Sequence, residues 1–257
     1  MGRRLGQHFL NRPSILEKIA TSACGTGDPP LVLEIGPGKG ALTGPLLERA
    51  RKVVAIEVDP VLVHYLRQKF QDALEGGRLE LIEGDVLKTD LSKWGTAVIA
   101  GNLPYYITSP ILERVFSLGT EWVRAVFLVQ AEVAARLAAS PGARDYGYLS
   151  VLTQMHAVPE ILLEVPRGAF RPPPKVDSAV VLLEPRDAAV EWNLPDRDAF
   201  LRFASSCFAH KRKTLRNNLA PVYGRERMNA MPEGRLRAEQ LSVPELATLF
   251  RKLEAGS

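Results

Sequence analysis

Asn102-Leu103-Pro104-Tyr105 is the segment of this 257-residue sequence whose residue types most directly imply chemistry. The exocyclic amine of a nucleobase is a poor nucleophile, because its lone pair is delocalised into the ring. Two acceptors for its hydrogens draw it toward a tetrahedral geometry. The segment offers two, the side-chain oxygen of Asn102 and the carbonyl of Pro104. Tyr105 adds a ring on which a base can stack, an interaction of roughly 1–3 kcal/mol. No strong general base is needed, since the amine becomes acidic once alkylated, so the chemistry is mainly the positioning of amine and methyl donor. The bland alternative, a strand followed by a proline turn and core tyrosines, leaves the asparagine unexplained. A second aromatic, Phe170, opens the run Phe170-Arg171-Pro172-Pro173-Pro174-Lys175-Val176-Asp177-Ser178. Its prolines hold an extended, stiff loop. Phe170 can form the other wall of a base pocket, and Arg171 and Lys175 can meet phosphates. For those two cations, a stiff linker into an edge strand competes.

A methyl donor needs a place to lie. Glu34-Ile35-Gly36-Pro37-Gly38-Lys39-Gly40 ends one strand signal and opens a helix. Glycines there allow a tight turn and close backbone approach to a ligand. A dinucleotide site would want a longer glycine spacing and would set a pyrophosphate on the helix. Gly-x-Gly-x-Gly after an acidic residue is closer to an S-adenosylmethionine loop, with the amino-acid end of the cofactor over Gly36 and Gly38. The next strand signal ends at Glu57, whose carboxylate can accept both ribose hydroxyls. The third leads to Asp85 and Val86, suited to the adenine amine and ring. Any one of these acids can be a surface residue. Three at successive strand ends mark the edge where ligands bind in open α/β sheets.

The elements that must carry these residues alternate. Strand signals at 31–35, 52–57, 79–82, 97–100 and 123–129 are separated by helical patterns at 41–50, 60–70, 110–118 and 131–139. This predicts an α/β fold, a Rossmann-like, mostly parallel, doubly wound sheet. Two late strands, near 161–165 and 178–184, suit an antiparallel addition at its edge. After Pro185 strand signals vanish and helical stretches run over about 196–209, 211–219 and 243–252, with Pro221, Pro232 and Pro244 as punctuation. The expected division is a catalytic domain over 1–186, with an N-terminal arm and helix over 1–30, and a small all-helical domain over 187–257.

Composition narrows the classes. Apolar residues make up 46% and charged residues 24%, a soluble globular profile with no membrane-length apolar run. Arg3 and Arg4 precede no apolar signal core, so a cytoplasmic protein is expected. Cys24 and Cys207 read as small buried residues, and no histidine sits at metal-ligand spacing, so no metal is expected. The net charge of +4 is uneven. Residues 1–12 carry +3 and residues 202–227 carry +6, so the rest of the chain is net acidic. Two basic segments on an acidic body point to a polyanionic partner, with a solvated basic face as the alternative.

Taken together, Gly6-Gln7-His8-Phe9-Leu10, the segment 34–40, Asn102–Tyr105 and Phe170–Ser178 resemble the ribosomal RNA adenine dimethyltransferase family over nearly the whole chain. Phe208–Leu219 and Arg237-Ala238-Glu239-Gln240-Leu241 look like its kasugamycin-sensitivity branch, which modifies two adjacent adenines near the 3′ end of 16S ribosomal RNA. The resemblance implies that His8 and Leu10 close over the cofactor beside Gly36, Glu57, Asp85 and Asn102. Many relatives carry asparagine where this chain has His8. It implies a partner, the 16S ribosomal RNA of an assembling 30S subunit, gripped by Lys211, Arg212, Lys213 and Arg216, with a role in subunit maturation. It also implies a monomer. The alternatives are a macrolide-resistance enzyme acting on 23S ribosomal RNA, a DNA adenine methyltransferase, a small-molecule methyltransferase, and a nucleic-acid-binding factor without catalysis. The C-terminal segments, the short helical tail, the basic clusters and the intact Asn102 argue against these in turn.

Overall fold

The computed structural model describes residues 8–255, so Arg3, Arg4, Gly6 and Gln7 lie outside the described residues. By packing, the chain forms two compact units. The first runs up to Ala134 and resumes over Pro159–Pro185. The second comprises Ala135–Val158 and the chain from Arg186 onward.

The first unit is built on a seven-stranded sheet. Its strands are β2 (Val32–Ile35), β3 (Val53–Glu57), β4 (Leu79–Glu83), β5 (Ala97–Asn102), β6 (Trp122–Gln130), β7 (Ala157–Val165) and β9 (Ser178–Pro185). Their order is β4-β3-β2-β5-β6-β9-β7. The pairs from β4 to β6 are parallel, and β9 runs antiparallel to β6. Every residue of β2 and β3 is buried, which is why Val-Leu-Glu-Ile and Val-Val-Ala-Ile-Glu read as near-continuous apolar runs and not as alternating ones. The helices of this part are α1 (Pro13–Cys24), α2 (Thr43–Leu47), α3 (Pro60–Lys69), α4 (Gln71–Glu75), α5 (Thr108–Phe116) and α6 (Ala131–Leu137), and the unit boundary falls within α6. Helix α3 starts sharply because Pro60 occupies its first turn and the Asp59 carboxylate accepts from Val61 N. A separate two-stranded ribbon pairs β1 (Phe9–Leu10) antiparallel with β8 (Phe170–Arg171), setting Leu10 opposite Phe170.

The second unit is helical: α7 (Tyr148–His156), α8 (Ala188–Glu191), α9 (Arg197–Cys207), α10 (Leu215–Tyr223), α11 (Arg225–Ala230) and α12 (Val243–Glu254). Its division differs from a single cut after residue 186. Tyr146, Val151 and Met155 share one core with Phe200, Phe203 and Phe250, so residues 135–158 pack with the C-terminal helices. Helix α10 also begins later than the pattern from Lys211 suggests. Lys213 N donates to His210 O to close a turn, Thr214 is extended, and the helix opens at Leu215. Pro221, expected as punctuation, lies inside α10, whose Leu215 and Leu219 are buried. Cys24 and Cys207 are both buried and unpaired, as their helical context suggests. No helix among the described residues is long and apolar enough to cross a membrane.

Candidate active site

The parallel registers place the ends of four strands side by side. Ile35 pairs with Ile56 and with Gly101, and Glu57 pairs with Glu83. The segments that leave these ends, 36–39, 57–58, 84–86 and 102–107, therefore line one cleft, joined by His8, Phe9 and Leu10 of the N-terminal arm. β2 sits where the strand order reverses, between β3 and β5, the switch point at which open α/β sheets bind ligands. Backbone contact between β2 and β5 is close. A Cβ on Gly101 would stand 2.5 Å from Ile35 O, so only glycine fits there.

The glycine loop is shaped for a ligand. Gly36, Gly38 and Gly40 have φ of 67°, 59° and 72°, a region that side-chain-bearing residues rarely adopt. A Cβ at Gly38 would also press on the Phe9 ring, at 3.1 Å. Glu57 is 3% exposed and braces the loop from β3. Its Oε2 accepts from Gly38 N at 3.0 Å, and its Oε1 accepts from Val58 N and Asp59 N, each at 3.0 Å. Lys69 closes the other side, donating to Lys39 O at 2.9 Å. Asp85 accepts from Leu87 N at 3.0 Å and lines the cleft with Val86. Glu34, 1% exposed, also reaches the cleft wall, and one of its oxygens has no hydrogen-bond partner among the described residues.

Asn102 is the last residue of β5. Its Nδ2 donates to His8 O at 3.1 Å, which orients the amide and leaves Oδ1 as an acceptor on the cleft wall. The Pro104 carbonyl already accepts from Ile107 N at 3.1 Å and from the Thr108 hydroxyl at 3.2 Å. Tyr105 is held by a 2.6 Å hydrogen bond between its hydroxyl and that of Ser178. The His8 ring stacks on it, with centroids 5.9 Å apart, and His8 Nδ1 lies 2.8 Å from Pro172 O. Burial raises the Tyr105 pKa, so the ring is a neutral platform and not a base.

The structure gathers most of the expected residues in this cleft: His8, Leu10, Gly36, Gly38, Glu57, Asp85, Val86, Asn102, Pro104 and Tyr105. Phe170 is elsewhere. It is 0% exposed, lies in the core of the first unit with Leu10, Val165 and Val180, and does not line the cleft. The residue that sequence reasoning misses is Tyr106, 61% exposed on the cleft. Two adjacent tyrosines in a short 3₁₀ turn point different ways, and only the tertiary fold says which is wet. Glu34, Phe9 and Lys39 also line the cleft, although their residue types alone do not single them out. Arg171, the last residue of β8, and Lys175, in the loop that follows, are both exposed, and Arg171 Nη1 donates to Phe170 O at 3.0 Å. In the helical unit Lys211, Arg212, Lys213 and Arg216 are all exposed. Lys211 Nζ donates to Arg144 O at 2.5 Å, and Arg216 to Asn229 at 3.4 Å.

Comparison with known proteins agrees with this geometry. The ribosomal RNA small subunit methyltransferase A of Acidobacterium capsulatum is 43% identical over 99% of this chain and 92% of its own. A dimethyladenosine transferase from Plasmodium falciparum superposes with a TM-score of 0.79 at 28% identity, covering 96% of this chain and 98% of the other. The 23S rRNA methyltransferase ErmE follows with a TM-score of 0.71, also at 28% identity, covering 96% and 99%. The sheet is thus that of class I S-adenosylmethionine-dependent methyltransferases. With the ribosomal RNA adenine dimethylase model matching residues 2–254, the chain belongs to that family.

Proposed function

We propose that this protein transfers methyl groups from S-adenosylmethionine to N6 of two adjacent adenines near the 3′ end of 16S ribosomal RNA in the assembling small subunit. The observation that carries the reading is the Asn102 amide, oriented by its bond to His8 O and set beside Tyr105 at the end of β5. The cleft suits the cofactor. A Cβ at Gly38 would press on the Phe9 ring that lines it, and Glu34, buried at its wall, has a carboxylate oxygen without a hydrogen-bond partner among the described residues. When bound, S-adenosylmethionine supplies an electrophilic methyl on its sulfonium. Gly36 and Gly38 would hold its amino-acid end, Glu57 its ribose hydroxyls, and Asp85 and Val86 its adenine, with His8 and Leu10 closing over them.

The chain's own residues then act on the target base. Asn102 Oδ1 accepts one N6 hydrogen and pulls the lone pair out of conjugation. The Pro104 carbonyl accepts the other once the Thr108 hydroxyl rotates away, because a carbonyl has two lone pairs and both are engaged. Tyr105 and Tyr106 offer rings to the flipped base. After transfer the amine is acidic and releases its proton to water. The monomethylated amine carries one hydrogen, so the second transfer needs one acceptor only.

The small subunit is favoured over the large because the relatives of about 40% identity carry the small-subunit name, whereas ErmE is 28% identical. The basic turn of the helical unit would grip phosphates, and binding to a maturing subunit gives the protein a part in its assembly. The test is incubation with methyl-labelled cofactor and subunits lacking the modification, mapped by primer extension. Four methyl groups on two neighbouring 16S adenines, absent with Asn102→Ala, are expected. Label on 23S RNA alone would assign the resistance-type activity. Bound cofactor with no label on either would assign a binding factor.

A further inference from the structure

We propose that binding of the cofactor's cationic amino-acid end is coupled to loss of a proton from Glu34. The inference rests on the cofactor reading above and adds to it a site charge that changes on binding. Glu34 sits in β2, two residues before Gly36, with its carboxyl fully enclosed yet on the wall of the cleft. One oxygen, Oε2, has no hydrogen-bond partner among the described residues. A buried carboxylate without partners is costly, whereas the neutral acid is not. Burial is accordingly the dominant influence, and the pKa is pushed up to about 7. Thr43 from α2 presents a hydroxyl that favours the charged form. The charged groups that face Glu34 are Glu57 from β3, a like charge that favours the neutral form, and Lys69 from α3, which opposes this. Before a ligand's cation arrives, Glu34 therefore holds its proton through much of the range below neutrality.

An ammonium set over the glycine loop reverses the preference, since an opposite charge within a few ångströms favours the carboxylate. The Glu34 proton then leaves to solvent on binding. Below pH 7, affinity rises with pH by up to tenfold per unit, and up to one proton is released per ligand bound. The linkage belongs to the amino-acid end. It is therefore shared by S-adenosylmethionine and S-adenosylhomocysteine and absent for 5′-methylthioadenosine, which lacks that end.

Calorimetric titration of the whole protein between pH 5.5 and 7, in buffers of differing ionisation enthalpy, reads both quantities without any turnover. The expected result is proton release with the first two ligands, none with 5′-methylthioadenosine, and none with Glu34→Gln. That variant mimics the neutral acid in shape and is expected to fold, which its thermal unfolding checks. Its affinity for S-adenosylmethionine is expected to be flat over this pH range. Binding without proton release, or equal release by Glu34→Gln, overturns the linkage and leaves the cofactor reading intact. Equal release with 5′-methylthioadenosine moves the coupling off the amino-acid end and also overturns it. Failure of S-adenosylmethionine to bind at any pH overturns both.

Discussion

Asn102 is asked to do two things, and they can be separated. Its Nδ2 fixes the N-terminal arm through His8 O, and in the proposed reaction its Oδ1 accepts from the reacting amine. Loss of one preorganised polar group at a reacting centre costs about 10²–10³ in rate. Asn102→Ala should fall by that much in single-turnover methyl transfer while the fold persists, and a loss of less than tenfold would remove the residue from the chemistry. Tyr105→Phe should keep the ring and lose the bond to Ser178, with stability lowered by about 1 kcal/mol and methylation nearly unchanged. Tyr105→Ala and Tyr106→Ala should each weaken RNA substrate binding by about 1–3 kcal/mol. If Tyr106→Ala binds normally in a filter assay, the wet ring is not part of the base pocket. Glu34 makes stability fall as pH rises. Its folded pKa of about 7 lies above the ordinary 4.5, so the stability is full below 4.5 and is lost progressively until pH 7. The difference is about 3 kcal/mol. Glu34→Gln should thus be the more stable protein at pH 8 and equal to the parent near pH 4.5 in urea unfolding.

At the scale of elements, the site is an alignment of strand ends, and the β2–β5 contact sets it. Gly101 lets the β5 backbone approach Ile35 of β2, and Asn102 follows at once. Gly101→Ala would drive a Cβ to 2.5 Å from Ile35 O. Overpacking of this sort costs about 1–3 kcal/mol. The displaced strand end carries Asn102 with it, so methylation should fall more than stability does. An unchanged melting temperature together with unchanged activity would show that the two strands can part without moving the site. The β1–β8 ribbon is the second positioning element. It seats Leu10 against Phe170 and thereby holds His8 beside Tyr105. Phe170 serves this arrangement from within the core.

For the whole molecule, the uneven charge is the feature that relates to RNA. Arg212 and Lys213 are exposed in the turn between α9 and α10, whereas Lys211 is drawn to the Arg144 carbonyl. Replacing Arg212 and Lys213 with Ala should reduce the slope of log affinity against log salt by about 0.7–0.9 for each phosphate that is no longer neutralised. Cofactor affinity should not move. A salt series on small subunits with an unaltered slope would take this turn out of the interface.

The alternating strand and helix signals, the glycine loop and the acids at strand ends were legible from local pattern. Each depends on residues near one another in the chain, and the parallel sheet brings them to one edge by rule. The burial of Phe170, the exposure of Tyr106 and the doubly engaged Pro104 carbonyl were not legible. The packing of residues 135–158 with the C-terminal helices was not legible either. Apart from the Pro104 bonds, which are local to the turn that follows it, these are contacts between segments distant in sequence or choices between faces of a turn, where composition is the same either way. The sequence by itself determined the fold, the sheet edge that forms the cleft and the place of Asn102 on it, because periodicity and motif spacing are local. Only the tertiary structure decided which aromatic is wet and which carboxylate is buried with one oxygen unpartnered among the described residues, because burial is a property of what packs on a residue from elsewhere.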